Sequence, residues 1–141
     1  MIKKIILCLL VLQVCSVHAN ASSPSIEIFD VQKGKVTRKV EAHPAIQRDA
    51  KTYLAGITGI YGEMDPIPKR GFMVKVPLAP NVMVKNEWLH ALVDEMIIIF
   101  SGEEEPYILI FDEENRPYFL TCKGNTVELL IKLNGGPYLG F

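Results

Sequence analysis

The sequence predicts an α+β domain, an antiparallel sheet with one long and one short amphipathic helix packed on it. Three observations lead there. Behind Pro44, apolar residues recur at spacings of three and four as far as Tyr61; behind Asn86 they do so again over a shorter stretch; and the last third of the chain alternates apolar runs with polar turns. A parallel doubly wound sheet needs regular strand-to-helix crossovers, and this last third offers none.

Residues 1–21 read as an export signal. Lys3 and Lys4 supply a cationic start, residues 5–17 an almost wholly apolar run, and Ala19 and Ala21 the small residues of two alternative cleavage sites. The uninterrupted apolar part is too short to cross a bilayer as a helix, so no stable transmembrane anchor is expected. Cys15 fits a lipoprotein site poorly, because Val14 stands where a small residue belongs. Cleavage leaves one domain over residues 22–134 and a flexible apolar C-terminal tail over residues 135–141, where Gly135 and Gly136 precede Tyr138, Leu139 and Phe141.

Cleavage also removes Cys8 and Cys15, leaving Cys122 alone and excluding a disulfide scaffold. From Ser22 onward, nine Lys and four Arg stand against sixteen Asp and Glu, a formal charge of −3. That balance disfavours nucleic acid and anionic membrane surfaces as partners.

The first strand is expected at Ser25-Ile26-Glu27-Ile28-Phe29-Asp30-Val31, which alternates with period two. A turn at residues 32–35 leads to a more polar strand at residues 36–41, where Lys35, Arg38 and Lys39 suit a sheet edge by discouraging further pairing. Pro44 fits the first turn of the long helix, with His43 as a boundary residue. Ile46, Ala50, Tyr53, Leu54, Ile57, Ile60 and Tyr61 fall on one helical face. Gly56, Thr58 and Gly59 weaken its last turns, and the glycines suit close backbone approach to a sheet. The Gly56, Gly59, Gly62 spacing is no dinucleotide fingerprint, because it lies at the back end of a helix.

Residues 63–71 form a loop in which Pro66 and Pro68 limit backbone freedom while Met64 and Ile67 provide an apolar tip. This is the candidate recognition element; a simple crossing between faces is the alternative. Met73-Val74-Lys75 and Met83-Val84-Lys85 echo each other around Pro77 and Pro80, as in two similarly patterned strands that stop at the prolines. Asn86 then caps the short helix, whose face is Trp88, Leu89, Leu92, Val93 and Met96. Strands follow at residues 96–100, 106–111, 117–122 and 126–133.

The side chains with reactive potential assemble no catalytic motif. Cys122 ends an apolar strand and is expected to be an inert packed thiol, with intermolecular pairing or nucleophilic catalysis as alternatives. His90 and Asp94 would share one helix face, two thirds of a thiol-hydrolase arrangement if Cys122 lay beside them. The acidic turns at residues 103–105 and 112–115 lack the alternating ligand spacing and central glycine of a calcium loop, so solvated turns are expected. No metal or cofactor is predicted.

No family resemblance emerges from these residues. The expected function is that of a small exported non-enzymatic module, secreted or extracytoplasmic and of bacterial type, which binds a protein, peptide or cell-envelope component through Met64 and Ile67. The alternatives are a thiol-dependent or hydrolytic enzyme using Cys122 and a structural or assembly component of the envelope.

Overall fold

The computed structural model describes residues 24–102, 104–124 and 128–129. The expected export signal and the C-terminal tail lie outside them. The elements, in chain order, are β1 (Ser25–Asp30), β2 (Lys35–Glu41), α1 (Pro44–Ala55), β3 (Ile57–Ile60), β4 (Phe72–Lys85), β5 (His90–Phe100), β6 (Tyr107–Phe111) and β7 (Pro117–Cys122). All seven strands join one sheet in the order β2-β1-β4-β5-β6-β7-β3, and every neighbouring pair is antiparallel.

The β1–β2 hairpin forms as its alternation indicates, and β2 is an edge strand. Its basic residues are partly engaged: Lys39 pairs with Glu27, which also holds Lys75 at 3.2 Å. From this edge the chain enters α1. Pro44 opens the helix and His43 caps it, the Nδ1 accepting the N–H of Ala45 at 3.2 Å. Ile46, Ala50, Tyr53 and Leu54 are buried against the sheet, the face that the sequence marks as apolar.

The helix is shorter than its apolar pattern suggests. It ends at Ala55, and Ile57 to Ile60 form β3 on the opposite edge of the sheet, so α1 carries the chain from one edge to the other. The β-branched Ile57, Thr58 and Ile60 suit a strand better than a helix, and Gly56 provides the break. Gly56 has a second role. A Cβ there would sit 2.3 Å from the carbonyl oxygen of Lys123, while its own carbonyl accepts the Lys123 N–H at 2.8 Å. Close backbone approach is therefore what this glycine provides.

The predicted second helix is a strand, which corrects the fold class to a seven-stranded antiparallel sheet carrying a single helix of this length among the described residues. Along β5, Ala91 and Val93 are buried while His90, Leu92 and Asp94 are exposed, an alternation of period two. Leu92, placed on the helical face by its spacing, points outward. Asn86 still caps, but it caps a turn: its Oδ1 accepts the N–H groups of Trp88 at 2.9 Å and Leu89 at 3.0 Å. A helix N-cap makes the same local hydrogen bonds, which explains why the two read alike in sequence.

The two Met-Val-Lys segments are not separate strands either. Both lie on β4, a single 14-residue strand that runs through the prolines with a register shift between Pro77 and Val82. The strands expected at residues 96–100, 106–111 and 117–122 are the apolar part of β5, then β6 and β7, paired in succession. Of the strand expected at residues 126–133, only Glu128 and Leu129 are described. They are helical, and Leu129 is buried in the core.

Alternation along the central strands creates two apolar layers. Ile26, Ile28, Val74, Val76, Ile98, Ile108, Ile110 and Leu120 meet α1 on one face. On the other, Ile99, Tyr107 and Leu109 are buried with Tyr61, Met73, Ile97, Phe111 and Phe119 around them. The central strands are thus apolar on both sides, which accounts for their continuous apolar runs.

Candidate functional site

The loop between β3 and β4 crosses the second face of the sheet, from the far edge back to the centre. Its entry is fixed by Tyr61, whose N–H donates to the Phe119 carbonyl at 2.9 Å. The Tyr61 ring stacks on Tyr107 of β6, with centroids 3.8 Å apart and planes 6° from parallel. Its hydroxyl donates to Glu104 Oε2 at 2.5 Å. The middle of the loop is held by Tyr107, whose hydroxyl donates to the Pro66 carbonyl at 2.5 Å.

At the exit, Gly71 adopts a positive φ of 98°, and a Cβ there would lie 1.9 Å from the Phe100 carbonyl oxygen. Only glycine fits that place without displacing backbone. The Gly71 carbonyl accepts the N–H of Val31 at 3.0 Å, which ties the loop end to the β1–β2 turn.

These anchors restrain the two tyrosines electrostatically as well. The hydrogen bond to Glu104, followed by burial, pushes the Tyr61 phenol well above its ordinary range. Burial is the main cause that pushes the Tyr107 phenol up as well. Both rings therefore remain neutral phenols at any physiological pH.

Between the anchors the loop presents its apolar tip. Met64 is 102% exposed and Ile67 43% exposed, and the neighbouring Ile60 on β3 is 65% exposed. The exposure of Met64 and Ile67 agrees with their expected place at a loop tip, whereas the device behind them has no linear signal. Its spacing puts Tyr61 on a helix face, and nothing in the linear order places Tyr107 or Glu104 beneath the loop.

The other candidate residues are not brought together into a reactive set. Cys122 is half-buried, packs against the main core and is a free thiol. Burial pushes that thiol up to about 12, so the nucleophilic thiolate is suppressed. His90 and Asp94 lie on β5 rather than on a helix, and four residues along a strand separate two side chains by roughly 13 Å. The pairing expected at i,i+4 is therefore absent.

Of the acidic turns, Glu104 orients Tyr61, while the second is an internally bonded hairpin turn. Asp112 is buried, accepting the N–H groups of Glu114 and Arg116 at 2.9 Å each, the Arg116 Nε at 2.6 Å and the Tyr118 hydroxyl at 3.2 Å. Burial raises the Asp112 carboxyl, yet the Arg116 N–H and guanidinium outweigh it and hold the group below the ordinary carboxylate range. Glu113 extends the connection, its Oε1 accepting the N–H of Leu92 at 2.8 Å. Asp112 and Glu113 fasten this turn and tie it to β5, while residues 113–117 are exposed, as expected of a solvated turn.

Among the described residues no cluster of His, Cys, Asp and Glu is arranged to hold a metal ion, and no helix is long and apolar enough to cross a membrane. No family model matches the chain, and no curated protein or solved structure is similar to it.

Proposed function

We propose that this chain is a small exported binding module that recognises a protein, peptide or cell-envelope component through the loop tip formed by Met64 and Ile67. The observation that carries this reading is the contrast within one loop. Tyr61, Tyr107 and Gly71 fix its path, while Met64 is left wholly in solvent. Exposing an apolar side chain on a restrained backbone is unfavourable in isolation and is recovered when a partner covers it. The restraint also lowers the ordering cost of association.

Among the described residues, the desolvated Cys122 thiol and the separation of His90 from Asp94 favour this reading over a thiol-dependent enzyme. The export reading rests on residues 1–21, whose cationic start and apolar run are sequence features.

The test is affinity capture from the envelope fraction of the producing cell, using the mature chain and its Met64→Ser/Ile67→Ser variant. The variant should lose the captured component while keeping the wild-type unfolding midpoint. Equal capture by both proteins, with the fold intact, rejects the loop as the binding surface.

A further inference from the structure

We propose that the open outer edge of β4, beyond the point where β1 stops, is a slot that takes an extended acidic segment of a partner protein as an added strand. Pairing between β1 and β4 covers Phe72 to Lys75, and past it β4 has only β5 as a neighbour among the described residues. The first backbone groups left on the outer edge are satisfied by a side chain. Gln47 of α1 donates its Nε2 to the Pro77 carbonyl at 2.5 Å and accepts the Ala79 N–H on its Oε1 at 3.1 Å. One amide thus does what a residue of a neighbouring strand would do.

Further along, nothing described takes that role. Met83 pairs with Leu92, and the Leu92 N–H is bonded to Glu113 on the side away from β4. In an antiparallel ladder the two members of such a pair both turn their backbone groups outward, so Met83 directs its N–H and C=O to the outer edge of β4. Alternation gives Lys85 the same orientation. An unpaired strand edge is a template for another strand, the geometry of β-augmentation.

This edge borders a groove of about 340 Å³. One wall is Lys51 and Leu54 of α1 with Ile57 of β3; the other is the run from Val82 to Asn86. Leu54 and Val84 give an apolar floor. Among the described residues, no acidic side chain lines the groove and neither Lys51 nor Lys85 has an ion pair. Backbone donors and acceptors along the edge, apolar walls and the two lysine ammonium groups together select an extended peptide with alternating apolar and acidic side chains. The slot lies on the helix-bearing side and shares no residue with the loop tip, so it does not depend on Met64 or Ile67.

The probe is an end-blocked, fluorescein-labelled heptapeptide of alternating valine and glutamate, titrated with the mature chain and followed by anisotropy. Saturable binding is expected, weakened at least tenfold by Lys51→Glu/Lys85→Glu and unchanged in Met64→Ser/Ile67→Ser. Two backbone-methylated versions, carrying N-methyl groups on the odd or on the even residues, separate strand addition from side-chain contact. One should lose binding and the other keep it, because only one edge of the added strand faces β4. The proposal is overturned if the unmethylated peptide does not bind saturably, if both methylated versions bind as well as it does, or if a valine–lysine peptide binds equally. The methylation arm leaves the protein unaltered, so it decides the matter even where a charge-reversed variant fails to fold.

Discussion

Tyr61 and Tyr107 lie face to face at 3.8 Å, and the second of them also holds the Pro66 carbonyl. One residue on a central strand thereby fixes both the entry and the middle of a loop that belongs to an edge strand. Replacing Tyr107 by Phe keeps the stack and removes only the hydroxyl. The expected cost is about 1 kcal/mol, the net worth of one hydrogen bond. Native-state hydrogen exchange should quicken within residues 62–70 while the strands β4 to β6 keep their protection. Uniform quickening across the sheet would mean that the loop is not separately anchored.

Gly56 and Gly62 make a matched pair of probes. Alanine at position 56 drives its Cβ into the Lys123 carbonyl, whereas nothing lies within 4 Å of a Cβ at position 62. Gly56→Ala should destabilise the chain by about 1–3 kcal/mol in urea unfolding, as overpacking does. Gly62→Ala should stay within about 0.5 kcal/mol of wild type. Equal effects would show that the junction between helix and sheet is looser than described.

Cys122 predicts a dependence on alkaline pH. Its folded-state value is raised to about 12 from an ordinary value of 9.0. A raised value means that the folded state holds the proton more tightly, so the contribution is complete below about pH 9 and is lost as pH climbs toward the folded value. Between about pH 8.5 and 10, wild type should lose stability more steeply than Cys122→Ala; parallel curves would contradict this. Iodoacetamide should label Cys122 slowly in the native protein and fast after denaturation.

Asp112 predicts the opposite dependence. Its carboxyl lies below the ordinary value of 3.8, so its stabilising contribution is present above that value and disappears as pH falls through the folded-state one. Asp112→Asn should flatten the acid limb of the stability profile. It should also loosen the turn at residues 113–116, visible as faster exchange of the Glu114 and Arg116 amides. An unchanged acid limb would remove Asp112 from the account.

What the sequence makes legible is local patterning, and what it hides is tertiary choice. The β1–β2 hairpin, the N-terminal half of the helix and the three C-terminal strands follow from period and turn residues. Residues 57–61 and 88–96 fit helical spacing as well as they fit strands, and the sheet decides the matter because each has an unpaired ladder beside it, β7 for the first and β4 for the second. Asn86 misleads for a related reason, since an Asx turn and an N-cap satisfy the same two amides. At the candidate site, Met64 just before Pro66 and Ile67 between Pro66 and Pro68 are visible as apolar residues of a loop. Tyr107 lies 41 residues along the chain from Pro66, whose carbonyl it anchors, and no periodicity reports such a contact.

The most direct test of the central claim is to place a photo-crosslinking amino acid at position 64, and in parallel at position 36, then irradiate each protein with the envelope fraction. Val36 is the control, an exposed apolar residue on the β2 edge. Recognition through the loop tip requires a discrete adduct from position 64 and none of the same mass from position 36. No adduct from position 64, or the same adduct from both positions, would contradict recognition through the loop tip.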